Sequence, residues 1–430
     1  MKPNFQPSTL HRRSLPGADD ITRVILPNGI TVLVRTNFNS PSVVMGGYLP
    51  CGSLFDTDEK LGLADFTAAA LLRGNERRDF QQIFEALESV GANLSFGVGA
   101  HTAGFTGRSL TEDLPLILGI LTDTLRTPVF PAEQVERLRT QFLTGLAMRA
   151  QDTAEMASIT FDQIVFAGQP YARPDEGWPE TIQAITRNDL ADFHRRTYGP
   201  RGMVIALVGA LEPREAAEQV MKVLGDWSNP SQPEPPGLPP LKLLKKSITR
   251  KVKIPGKSQA DLIIGTYGPY RKDPEFMPAS LSNSVLGQFG LGGRIAEVVR
   301  EKSGLAYYTS SSLNAGVGPG SWDISAGVAP TNVQKARDLI LNEITRYIEQ
   351  GVTPEELADS QSNFIGRMPL SLESNAGVVN ALLNIERYDL GLDYYRRYPD
   401  LVRAVTPEQV LAITRKYLQP DKLAIAIAGS

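Results

Sequence analysis

Imidazoles and thiols are the side chains most often used to move protons, attack carbonyls or hold a transition metal near neutral pH. This chain of 430 residues has three histidines, His11, His101 and His194, and one cysteine, Cys51. They are scattered. His101 lies in a glycine-rich strand region with no carboxylate beside it, and His194 sits on a helix beside Arg195 and Arg196. Each reads as structural or exposed. A single thiol permits neither an intrachain disulfide nor a zinc-ribbon cluster. No G-x-S-x-G elbow marks a nucleophilic serine. The glycine-rich run GQFGLGG (287–293) is not a phosphate loop, since no Gly-Lys-Ser/Thr follows it and it holds no G-x-G-x-x-G.

The elements that would position any chemistry come in two sets. The segment SNPSQPEPPGLPP (228–240) has six prolines in thirteen residues and reads as a stiff, extended linker near the middle of the chain. The stretch ending the first half, ITRNDLADFHRRTYGPRGMVIALVGA (185–210), returns at the end of the second as VTPEQVLAITRKYLQPDKLAIAIAGS (405–430). Both read as threonine N-cap, amphipathic helix, tyrosine, proline turn, apolar strand and glycine. Thr186 and Thr406, Pro200 and Pro420, and Gly209 and Gly429 share one offset of 220, while Tyr198 and Tyr417 slip by one. Residues 113–146 and 335–368 echo one another as helix, proline break and helix, with Pro131 and Pro354 expected at the first helical position. A duplicated domain follows.

Within each half strands and helices mix. TRVILPNGITVLVRT (22–36) is a hairpin signal around Pro-Asn-Gly. Further strands are expected over 42–52, 93–110, 260–270 and 320–330, and a helix over 80–93 stopped by Gly91. The expected fold class is α+β, as two homologous domains of mixed sheet plus helices, with each sheet covered by helices on one side. The boundaries are 15–227 for the first domain, 228–242 for the linker and 243–430 for the second. The net charge of −3 gives no nucleic-acid footprint. No stretch of 18 apolar residues predicts a membrane span, and no signal-peptide run opens the chain, so a cytoplasmic location is expected.

Three quoted stretches carry a family resemblance. GLADFTAAALLRGNERRDFQQIFEALESVGANLSFGVG resembles the opening of the insulinase/pitrilysin family, which includes the mitochondrial processing peptidases. That family runs roughly G-x-A-H-x-x-E-H, an apolar pair, a glycine and a helix ending in G-A-x-x-N/S. QPYARPDEGWPETIQAITRNDLADFHRRTYGPRGMVIALVGA (169–210) resembles the family's P-Y-x-x-P-x-x-G segment, and SVLGQFGLGGRIAEVVREKSGLAYYTSS (284–311) its R-E-x-x-G-L-A-Y segment. The likeness covers nearly the whole chain from about residue 20. It implies one half of a two-chain, processing-peptidase-like clamshell.

The resemblance also shows what is missing. In H-x-x-E-H the two histidines bind zinc from one helix face and the glutamate activates water. Here those places hold Asp65, Ala68 and Ala69. Alanine neither ligates nor takes a proton, and Asp65 alone is one weak ligand. The family's third ligand would fall near Leu143, in a window (137–151) without any acid. The expectation is a non-catalytic subunit with no metal or other cofactor of its own. Its partner would be an H-x-x-E-H homologue that carries the zinc, and the pair would form a heterodimer that hydrolyses peptides.

In the family an arginine and a tyrosine seven apart reach the cleft near the scissile bond. REKSGLAY supplies Arg300 and Tyr307 with that spacing. Arginine is a permanent fork donor for a peptide carbonyl, and tyrosine can donate to a developing oxyanion. Tyr308 would point elsewhere. Gly290, Gly292 and Gly293 are candidate substrate-binding positions, because the family's non-catalytic subunits carry a glycine-rich loop at this place. A turn between two helices explains them equally well. Substrate would add as a strand on an exposed sheet edge. Two other readings stand beside this one: a structural scaffold like the core subunits of a respiratory complex, and a free-standing peptide-binding homodimer.

Overall fold

The computed structural model describes residues 15–288 and 292–430. Strands β1 (Thr22–Ile25), β2 (Thr31–Thr36), β3 (Ser42–Leu49), β4 (Asn93–Val98), β5 (Ala103–Leu110) and β6 (Val204–Gly209) form one sheet in the order β1-β2-β6-β3-β5-β4. Strands β7 (Ile248–Lys253), β8 (Ala260–Gly268), β9 (Ala306–Asn314), β10 (Gly320–Val328) and β11 (Ala424–Gly429) form a second in the order β7-β11-β8-β10-β9. With β1 set aside, both sheets take their strands in the same sequence: first, fifth, second, fourth, third. In each, the first and last strands of the half pair in parallel and the others run antiparallel. The 220-residue offset therefore reports a true duplication. The Pro-Asn-Gly hairpin is β1–β2, closed by Gly29 N–H to the Leu26 carbonyl at 2.9 Å.

The helices of the first half are α1 (Leu63–Ala70), α2 (Phe80–Glu88), α3 (Leu114–Arg126), α4 (Ala132–Arg149), α5 (Thr153–Val165), α6 (Pro179–Ala184), α7 (Arg187–Thr197) and α8 (Pro213–Leu224). Those of the second are α9 (Phe276–Gly287), α10 (Gly293–Ala296), α11 (Val333–Gln350), α12 (Pro354–Ser371), α13 (Asn375–Arg387), α14 (Tyr394–Arg403) and α15 (Pro407–Tyr417). A π-helical turn, Glu297–Glu301, follows α10 directly. Thr186 and Thr406 cap α7 and α15 with reciprocal boxes to Asp189 and Gln409, as the sequence repeat requires. Pro354 holds the first position of α12. Pro131 does not match it. It stands one place earlier, at the N-cap of α4, in extended conformation with ψ 133°, so its carbonyl rather than its ring starts the helix.

The sheets are covered on both faces, not one. β6 and β11 are buried along their whole length, and β3 nearly so. Such strands need a helix on each side. On one face, Val32, Met45, Ile205 and Leu207 pack with the first half's own helices. On the other, Leu33, Val44, Ala206 and Val208 pack with Val378, Val379 and Leu382 of α13, a helix from the second half. The reverse also holds. Leu262, Ile264, Ile425 and Ile427 face their own helices, while Ile263, Ala424, Ala426 and Ala428 face Ala157, Phe161 and Ile164 of α5. Each half thus lends one helix to the other's sheet.

Both lent helices are pinned at their first residue to equivalent strands. The hydroxyl of Thr153 donates to buried Asp261 on β8. The amide of Asn375 donates to the Ser42 carbonyl on β3 at 3.2 Å. Residues 228–240 hold no helix or strand and are mostly exposed.

Candidate functional site

Helix α1 opens with two N–H groups tied to one carboxylate: Asp56 accepts from Gly62 and Ala64, each at 3.0 Å. Burial pushes the Asp56 carboxyl up to about 7 in spite of those bonds. α1 lies against α4, with the Phe66 and Phe142 rings stacked at 5.0 Å. That packing brings Leu143 to the helix carrying Asp65, Ala68 and Ala69. Ala68 is buried, Ala69 and Leu143 are half-buried, and Leu143 packs on the first core. The segment after α5 roofs the start of α1. Arg149 fastens it, donating to the Gly177 carbonyl at 2.6 Å, pairing with Glu176 at 3.2 Å and lying 5.1 Å from the Trp178 ring centre.

Under that roof Asp65 is largely buried. Burial first, then the nearby Glu176 and Asp175, pushes its carboxyl up to about 7. These positions do not fit a zinc ion, because one hindered carboxyl and three hydrocarbon side chains are not a donor set. Among the described residues no three His, Cys, Asp or Glu side chains are placed to hold a metal ion.

Arg300 and Tyr307 are brought to one end of the second half by the π-turn and the loop after it. Gly304 N–H bonds the Arg300 carbonyl at 2.9 Å and Leu305 N–H the Val299 carbonyl at 3.0 Å. The Arg300 guanidinium pairs with Glu301 at 2.8 Å. Strand β9 is an edge strand. Its register against β10 jumps between Tyr308, opposite Gly327, and Ala306, opposite Val328. Tyr307 is the extra residue of that bulge, and its side chain is 76% exposed. Tyr308 turns inward and donates to Asp261 at 2.5 Å. The far end of β9, at Asn314, lies roughly 23 Å from Tyr307 at the usual strand rise.

Gly292 and Gly293 cap α10 against the end of α9, with φ of 118° and 66°. A β-carbon on Gly293 would meet the Val285 carbonyl oxygen at 2.6 Å and the Gly287 nitrogen at 2.7 Å. Packing between two helices therefore demands glycine here whatever the substrate. Gly293 also borders a cavity of about 430 Å³ with Glu297, Glu301, Glu355 and Asp359 on its walls. Gly290 lies outside the described residues, as does His11.

Composition and motif reading missed a cluster of acids between the halves. A cavity of about 670 Å³ there is lined by Asp162 of α5, Asp175 and Glu176 of the roof, and Asp323 of β10, together with His101 and Tyr171. Burial first and the facing acids second hold Asp162 at about 7, while burial holds Asp323 at about 6. The Ser53 hydroxyl donates to Asp175. His101 contacts the Tyr171 hydroxyl, and burial followed by the charge of Arg387 lowers the imidazole's pKa. His194 bonds the Leu125 carbonyl at 2.9 Å between Phe130 and Tyr198, and burial drops it to about 4. Cys51 is fully buried and its thiol is pushed up to about 12. No local motif could have flagged the acid cluster, since its acids come from three separate segments.

Comparison with known proteins places this architecture. Residues 31–174 match the family model described as Insulinase (Peptidase family M16), and residues 184–364 match the one described as Peptidase M16 inactive domain. The chain belongs to the insulinase family. It is similar to an "uncharacterized zinc protease" of Streptomyces coelicolor, 25% identical over 94% of this chain and 88% of that one. It is 26% identical to cytochrome b-c1 complex subunit 1 of Mus musculus, over 62% of this chain and 55% of that protein. A crystal structure of a peptidase M16 inactive domain from Pseudomonas fluorescens superposes with a TM-score of 0.86 at 28% identity, covering 95% of this chain and 98% of that one. Among the described residues, no helix is long and apolar enough to cross a membrane.

Proposed function

We propose that this chain is the non-catalytic subunit of a heterodimeric zinc peptidase. It would supply half of a peptide-holding chamber to a partner that carries H-x-x-E-H and the metal. The observation that carries this reading is Tyr307: a large aromatic placed by a bulge on an edge strand, 76% exposed and seven residues after Arg300. Core packing gives no reason for such a placement. A phenol reaching a partner's cleft does, because an oxyanion-directed donor must project from its own subunit. The hydrocarbon side chains at the metal positions fit the same division of labour.

The test is co-expression with an H-x-x-E-H homologue from the same genome and hydrolysis of an unstructured peptide by the pair. Tyr307→Phe and Arg300→Ala are expected to lower kcat of the pair by about a hundredfold each while leaving assembly intact. This chain alone is expected to show neither hydrolysis nor retained zinc after dialysis. Hydrolysis by the lone chain that a chelator stops would refute the reading.

A scaffold role is the second reading, favoured by the similarity to a respiratory-complex subunit. In that case both substitutions leave the partner's rate unchanged.

A further inference from the structure

A pocket of about 530 Å³ lies between α12, α14 and the loop after β8, and the peptidase reading does not use it. Its walls carry two guanidinium groups, Arg271 and Arg367, three tyrosines and no acid. Arg271 is held in place from several sides. It donates to the Tyr394 hydroxyl at 2.8 Å, and its guanidinium carbon stands 4.1 Å from the Phe276 ring centre, 5.7 Å from Tyr388 and 5.4 Å from Tyr394.

Two acids near this pocket in sequence are engaged elsewhere: Asp389 pairs with Lys272 and Asp393 with Arg397, each at 2.7 Å. Among the described residues no carboxylate pairs with Arg271 or Arg367. Two cations therefore line the pocket, Arg271 held by its aromatic neighbours, with no acid on the walls. Because the Tyr394 oxygen accepts from Arg271, its own proton remains to be donated. Burial raises the phenols of Tyr395, to about 12, and of Tyr398, so both also stay protonated donors. The rest of the wall is Ser371 and an apolar set, Phe364, Met368 and Leu370, the last 65% exposed at the rim.

The geometry points to a binding site for an organic carboxylate, its anion between Arg271 and Arg367 and its apolar body against Phe364, Met368 and Leu370. Planar guanidinium forks match a carboxylate's two oxygens, and an exposed leucine beside them gives the attached hydrocarbon a surface to cover. The same chemistry is offered by the C-terminal residue of a peptide and by a free aliphatic acid.

Calorimetric titration of the intact chain separates the two. The probes are N-acetylphenylalanine, its uncharged carboxamide and octanoate. At least one acid is expected to bind one-to-one, with the carboxamide at least about tenfold weaker than its acid. Tighter binding of N-acetylphenylalanine assigns a peptide end, and tighter binding of octanoate a free acid. Arg367→Gln, at an exposed helix position, and Arg271→Gln are each expected to weaken the acid about tenfold and leave the carboxamide unchanged. Leu370→Glu, which puts a repelling charge at the rim, is expected to abolish acid binding while the far-UV circular dichroism stays native. Equal binding of acid and carboxamide, no binding of either acid at millimolar concentration, or acid binding indifferent to all three substitutions overturns the proposal.

Discussion

Asp65 occupies a position that opposes its own charge. In the unfolded chain an aspartate titrates near 3.9, whereas burial and two neighbouring acids hold this one at about 7. The native state therefore keeps the proton over that interval while the unfolded state has lost it, and stability falls as pH rises from about 4 to 7. Asp65→Asn removes the penalty. It is expected to raise unfolding free energy by on the order of 2 kcal/mol at pH 8 and to change little at pH 4. Urea midpoints of the two proteins at both pH values check it, and an equal shift at pH 4 would reject the burial argument. The hydrocarbon character of Ala68, Ala69 and Leu143 was plain from the sequence, because a missing donor needs no structure to be seen. The heightened acidity problem at Asp162, Asp175 and Asp323 was not, because residues up to 161 positions apart meet only when the halves close.

At the level of elements, the traded helices govern how the sheets are buried. Gly46 on β3 lies directly under α13, and a β-carbon there would meet Val379 at 2.6 Å and Leu383 at 3.3 Å. Gly46→Ala is expected to destabilise by about 1–3 kcal/mol through overpacking, seen as a lower urea midpoint. Leu382→Ala, at a fully buried site on α13, is expected to cost about 2–5 kcal/mol. Its signature is faster hydrogen exchange in β3 and β6, strands of the other half. If exchange instead quickens only in the second sheet, the helix does not do what its packing indicates.

Most strand positions, though not β7 and β9, and the caps of α7 and α15 were legible, since alternation, threonine caps and proline turns are local signals. The Ala-Ile-Ala-Ile-Ala run of β11 even records which face is close-packed, with alanines toward α5 and isoleucines toward the home helices. Which sheet an amphipathic helix joins is not local information. The stripe of α5 or α13 says only that some apolar partner exists, and so one-sided coverage was the default expectation.

For the whole molecule, the duplication was readable from one offset, and the matching strand orders confirm it. The linkage between the copies was not readable. Separate expression of residues 15–227 and 243–430 should give fragments that aggregate or bind a hydrophobic dye, because each leaves one sheet face bare and one helix unsupported. Mixed during refolding, the two are expected to recover a single particle by size-exclusion chromatography. Soluble, cooperative folding of either fragment alone would contradict the shared core.

The two pinned helix starts, Thr153 on Asp261 and Asn375 on the Ser42 carbonyl, make the exchange reciprocal. The chain visits its neighbour's territory and comes home once in each direction. A proline tether joining such partners is not what keeps them together. Severing it with a protease would leave a nicked molecule whose pieces part only in denaturant. By the same logic a half-length chain of this design is unfinished as a monomer, and two copies would complete each other about a twofold axis.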